Sequence, residues 1–150
     1  MTTCYQGTCS VGGVASAAIE RVEREQLFLA ALESATLPSG EFDHAAHVRA
    51  GYLYLRRHAF PQATAAMCAT IARYSRAIGK PGRYHETITV AFMALINAQL
   101  RRGGESGDWE AFRAANPQLF RPDVLSAYYP REVLESPEAR AAFTLMPLAG

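Results

Sequence analysis

The stretch YHETITVAFMALINAQLRR, residues 84–102, is apolar nearly all round through Val90–Ile96 and contains no Gly or Pro. A helix that is apolar on every side belongs in the middle of a bundle or in a membrane. This run falls far short of the ~20 apolar residues that a bilayer requires. The pattern therefore predicts a central, most buried helix from about Tyr84 to Arg102. Gly103-Gly104 ends it, and Arg101 and Arg102 suit the negative end of its dipole.

Upstream, residues 62–78 carry a one-face stripe of Ala63, Ala66, Met67, Thr70, Ile71, Tyr74 and Ile78, broken by Gly79-Lys80-Pro81-Gly82. Before that, a helix is predicted from Asp43 to about His58, with Asp43 as N-cap and Phe42 as the hydrophobic staple. Its inner stripe is His44, Val48, Gly51 and Leu55, and Arg49, Arg56 and Arg57 lie opposite. Gly51 costs such a helix about 1 kcal/mol relative to Ala, which predicts close approach by another helix or a bound group. A first helix is predicted over Val14–Leu37, with Ile19, Val22, Phe28, Leu29 and Leu32 recurring on it, and Pro38-Ser39-Gly40 stops it. Downstream, Trp109–Ala115 reads as a short helix capped by Asp108. Pro117, Pro122, Pro130 and Pro137 divide the rest, and Ser136 is a good N-cap before Pro137. Sustained apolar–polar alternation is missing, so no sheet is expected. The expected fold is all-α: a four-helix core with a C-terminal wrap of short helices, residues 14–150 forming a single helical domain behind a flexible tail at 1–13.

The 150 residues hold 15 Lys+Arg against 14 Asp+Glu, a net charge of +1. That balance argues against a nucleic-acid binder, which concentrates basic charge on one face, and against a charge-driven membrane binder. Residues 1–13 carry no Lys or Arg and no continuous apolar stretch, so they do not read as a signal peptide. Three cysteines, Cys4, Cys9 and Cys68, make a poor disulfide framework. A cytoplasmic location is the expectation.

Histidine placement carries the functional reading. His44 and His47 are three residues apart at a helix start, so both rings can address one spot. His85 and Glu86 open the central helix, and Glu86 faces an apolar direction, which is costly unless it is paired, protonated or bound to a cation. If the second, third and fourth helices run up, down and up, both sites lie at one end of the bundle. His44, His47, His85 and Glu86 then form a ligand set suited to a divalent transition metal: Fe, Zn, Mn, Ni or Cu. Glu86 is a fourth ligand or a general base. Each histidine taken singly is equally a helix cap or a hydrogen-bonded core residue. HExxH is not matched, because residue 89 is Thr, and nucleotide-binding glycine motifs are absent. Tyr52 is a candidate for substrate contact or catalysis, or else packs. Tyr128, Tyr129 and Arg131 in the wrap, with Thr89, are candidate substrate-binding residues. Lys80 and Arg83 suit an anion at a helix start, and His58 suits the dipole of a helix end.

The segments FDHAAHVRAGYLYLRRH, GRYHETITVAFMALI and LSAYYPREVLESPEAR resemble a group of small all-helical bacterial proteins that share F-x-H-x-x-H and Y-H-E-T segments. The resemblance covers about residues 40–145. No activity is assigned to that group, so the resemblance implies the grouping of these segments and nothing about chemistry.

Three readings follow. The first is a metal-dependent enzyme acting on a small organic molecule. The second is a metal-free acid–base lyase, isomerase or cyclase that uses a histidine and Glu86. The third is a non-catalytic metal- or ligand-binding module. Nucleic acid and membrane are not expected partners, and the apolar stripe of the first helix suits either the core or a homodimer interface.

Overall fold

The computed structural model describes residues 11–103 and 107–146. These form α1 (Val11–Glu33), α2 (His44–Arg57), α3 (Phe60–Ala77), α4 (Glu86–Gly103), α5 (Trp109–Ala115), α6 (Arg131–Leu134) and α7 (Pro137–Ala141), with short 3₁₀ turns between them. Strands are absent among the described residues, so the fold is all-α, and no described helix is long and apolar enough to cross a membrane. Cys4 and Cys9 lie outside the described residues, as does most of the expected tail. α1 already includes residues 11–13.

Helix starts follow their capping residues. Asp43 Oδ1 accepts from the Ala46 amide at 2.8 Å, Asp108 Oδ1 from the Ala111 amide at 2.9 Å, and Ser136 Oγ from the Ala139 amide at 3.2 Å. Ahead of α2, Phe42 stacks on His47 with ring centroids 3.8 Å apart. These are the two positions of a hydrophobic staple, with an imidazole in place of the usual apolar partner. His85 caps α4: its Nδ1 accepts the Ile88 amide at 3.2 Å.

The centre of the core is α2, α3 and α4 packed against one another. The expected stripe of α3 is inward, with Ala63, Met67, Thr70, Ile71 and Tyr74 buried. Gly51 provides the closest approach. A Cβ there would lie 2.9 Å from Ile96 Cδ1 and 3.0 Å from Met93 Sδ, so a side chain at residue 51 would force the ends of those two side chains to shift.

Two expectations change. Leu29 and Leu32 of α1 are buried, but Ile19 and Val22 are 60% and 46% exposed. Both lie off the face of α1 that turns inward, which runs through the half-buried Arg21, Glu25 and Phe28 to Leu29 and Leu32. Arg49, assigned to the solvated face of its helix, is half-buried, with its guanidinium carbon 4.6 Å from the centre of the Phe28 ring. Its Nε is buried and meets no acceptor among the described residues. An unmet buried N–H costs about 1–3 kcal/mol, and a cation–π contact offsets about 0.5–2 kcal/mol of that.

The C-terminal wrap is fastened to the start of α4. Thr87 is fully buried; its hydroxyl lies 2.6 Å from the Ala139 carbonyl, to which it donates, and accepts the Thr144 amide at 3.0 Å. His85 Nε2–H donates to the Leu134 carbonyl at 2.7 Å, and Tyr129 donates to the Thr144 carbonyl at 2.8 Å. Replacing Thr87 by Val keeps the shape and takes the partner from a buried carbonyl and a part-buried amide. Urea unfolding of Thr87→Val is expected to show a loss of about 1–3 kcal/mol. Thr87→Ser keeps the hydroxyl, and its loss should be smaller.

Candidate functional site

The first turns of α2 and α4 meet over α3 and enclose a cavity of about 290 Å³. Phe42, Asp43, His44 and His47 border it at the start of α2, Met67 and Ile71 rise from α3, and Ile88, Thr89, Phe92, Met93 and Ile96 come from α4. Most of this wall is apolar, and the two imidazoles are its distinctive chemistry.

Each ring is oriented by a backbone carbonyl. His44 Nε2 lies 2.9 Å from the Leu119 carbonyl oxygen, and His47 Nδ1 lies 2.7 Å from that of Asp43. A carbonyl only accepts, so both ring nitrogens must carry hydrogen. A neutral His44 is then the Nε2–H tautomer with its lone pair on Nδ1, and a neutral His47 is the Nδ1–H tautomer with its lone pair on Nε2. Aromatic neighbours hold the rings further: Phe42 lies parallel to His47, and Phe92 meets His44 edge-on at 5.1 Å.

Burial lowers the pKa of His47 below its ordinary 6.5. The bond to the Asp43 carbonyl opposes this, the neighbouring His44 adds to it, and the charge of Asp43 opposes it again. His47 is thus a neutral imidazole at pH 7, with a basic nitrogen available in a largely apolar wall.

The other expected site residues lie elsewhere. His85 shares neither the cavity nor the His44–His47 pair, because both of its ring nitrogens are engaged, one capping α4 and one holding Leu134. Glu86 accepts a hydrogen bond from the Tyr84 hydroxyl, outside the cavity. Tyr84 has its pKa raised by burial and by its bonds to Glu86 and Cys68. No group of three or more His, Cys, Asp or Glu side chains among the described residues is placed to hold one metal ion. Tyr52 is buried against Trp109 and Phe112, with ring centroids 5.3 and 4.9 Å away. Tyr128 is exposed, Tyr129 ties down the chain near Thr144, and Arg131 pairs with Glu135 on the surface. Of the four expected substrate-binding residues, Thr89 alone borders the cavity, and its hydroxyl donates to the His85 carbonyl at 2.8 Å.

Sequence reasoning passed over Phe42 as a site residue, although its place before the cap of α2 sets it against residue 47. It also passed over Met67 and Ile71, whose stripe signals only burial, and the Leu119 carbonyl, which leaves no mark in a side-chain pattern. The chain matches no protein-family model, no curated protein and no solved structure.

The lowered pKa of His47 has a consequence for stability. Between that lowered value and 6.5, the unfolded chain holds more protons than the folded one, so stability rises with pH across this window and falls on acidification through it. NMR titration of the His47 ring should give a midpoint below 6.5, and His47→Gln should flatten the pH dependence of unfolding over the same range.

Proposed function

We propose that the cavity between α2, α3 and α4 binds a small, uncharged organic molecule and that His47 acts on it as a general base. The observation that carries this reading is the pairing of two carbonyl-oriented imidazoles, one with a lowered pKa, in a largely apolar cavity of about 290 Å³. That volume holds roughly ten water-sized groups, and its wall offers no cation to an anionic substrate. In the reading, a C–H bond next to a carbonyl of the bound molecule breaks, its proton moves to His47 Nε2, and its electron pair moves onto the carbonyl oxygen as an enolate. The Asp43 carbonyl then faces the Nδ1–H of the resulting imidazolium and stabilises it. Return of the proton to the same carbon gives exchange with solvent, and return to another atom gives isomerisation. In its neutral form His44 can only accept at Nδ1, so it orients a hydroxyl of the same molecule. Glu86, bonded to Tyr84 outside the cavity, is not part of this scheme. A cytoplasmic location and a small-molecule partner belong to the same reading, with no role for nucleic acid or membrane.

A specific observation favours a second reading. In His44 and in His47, one nitrogen sits on a backbone carbonyl and the other meets no partner among the described residues, which is how metal-bound histidines are commonly held. A divalent transition metal would then bind through these two rings, with its other positions open to water or substrate. Titration with cobalt(II), followed by visible absorption, distinguishes the two. Stoichiometric bands lost in His44→Ala and in His47→Ala support the metal.

The acid–base reading is tested in D₂O, without added metal and with chelator present, on a panel of small ketones and aldehydes that carry α-hydrogens. Deuterium uptake above the buffer rate is expected, falling about 10²-fold or more in His47→Gln. Uptake that is equal in the folded wild-type and variant proteins contradicts the reading.

A further inference from the structure

α1, α2 and α5 enclose a second space, a groove of about 590 Å³, on the other side of the first turns of α2. Asp43 borders both spaces. Beyond it, Ala45, Ala46 and Arg49 line the groove, and His44, His47 and Val48 line the cavity.

The charges along the groove are evenly mixed and largely unmatched. Arg21 is paired with Asp108 at 2.9 Å, and Asp43 caps α2. Three arginines (Arg24, Arg49 and Arg113) and three glutamates (Glu25, Glu41 and Glu110) share the groove, yet among the described residues no ion pair joins any of them. Arg49 and Arg113 are held against aromatic rings instead, 4.6 Å from the centre of Phe28 and 5.4 Å from that of Phe120. Arg49 and Glu25 are the half-buried members of the set, and Arg49 is the one whose Nε meets no acceptor.

This arrangement selects by charge. A guanidinium matches a carboxylate through two parallel N–H donors, and a half-buried carboxylate calls for a cation. A net anion or a net cation meets as many like charges here as unlike ones, whereas a molecule carrying both signs can satisfy both. Phe28 and Trp109 add aromatic surface to the same groove.

We propose that this groove is a binding site for a zwitterionic α-amino acid with an apolar side chain. Its carboxylate lies on the guanidinium of Arg49, its ammonium faces Glu25, and its side chain packs toward Trp109 and Phe28.

The test uses the full chain and L-phenylalanine as the probe, by calorimetry and by ¹H–¹⁵N shift mapping. Saturable binding is expected, with shifts at α1 and α5 residues. Phenylalaninamide lacks the carboxylate and N-acetylphenylalanine lacks the ammonium, and each should bind at least tenfold more weakly. Arg49→Met and Glu25→Gln should weaken phenylalanine by a similar factor, and His47→Gln should leave it unchanged, which separates this site from the cavity. If Arg49→Met fails to fold, the two analogues and Glu25→Gln decide alone. No saturable binding, shifts confined to Ile88, Thr89 and Phe92, or equal affinity for the charge-deleted analogues overturns the proposal.

Discussion

The contact of α2 with α4 at Gly51 sets the geometry on which the rest of the molecule depends. With Ile96 Cδ1 and Met93 Sδ within about 3 Å of where a Cβ would be, the two helices approach closely enough that a side chain at position 51 would push those two side-chain ends aside. That approach brings the first turn of α2 beside the first turns of α4, so that His44 reaches Phe92 and both histidines border a cavity floored by Met67 and Ile71. Ile96 and Met93 line this cavity as well, so the residues that seat the helices also shape the space between them. The helix stability given up at a mid-helix glycine, about 1 kcal/mol, is offset by the packing it admits.

Local chemistry then settles the state of the two imidazoles. The chain enters α2 through a cap and a staple, and both devices involve the site directly. The Asp43 side chain caps the helix while its carbonyl takes the His47 Nδ1–H, and Phe42 covers the face of the same ring. A ring held this way needs little rearrangement to act, and its burial favours the neutral form. The C-terminal wrap contributes from the far side. Leu119 supplies the carbonyl that orients His44, and Leu134 supplies the one that engages His85. The short helices after α4 are therefore part of how the histidines are held.

Much of the fold was legible in the sequence, because the decisive signals were local. The stripe of α3, the caps at Asp43, Asp108 and Ser136, and the meaning of Gly51 all follow from spacing and residue type. The pairing of His44 with His47 was legible for the same reason, since residues three apart on a helix are neighbours. What failed depended on tertiary placement. Ile19 and Val22 sit in a good apolar pattern, but the inward face of α1 runs through Arg21, Glu25 and Phe28 instead. Arg49 looked solvated from its helix alone, and only the presence of Phe28 on α1 explains its burial. His85 carried the same residue type as His44 and His47, yet its position before α4 made it a cap. The alternative reading of a lone histidine at a helix start as a cap applies to it. Glu86, expected to need a partner, is half-buried and accepts from the hydroxyl of Tyr84, two residues before it.

The central claim is that two imidazoles, each carrying hydrogen on the nitrogen that meets a backbone carbonyl, border one largely apolar cavity. Long-range ¹H–¹⁵N correlation spectra of the histidine side chains at neutral pH read this directly, because protonated and lone-pair ring nitrogens resonate far apart. The account predicts hydrogen on Nδ1 of His47 and on Nε2 of His44, with Nε2 of His47 showing the shift of a bare lone pair. Hydrogen on Nε2 of His47, or the averaged shifts of a freely rotating ring, would contradict it.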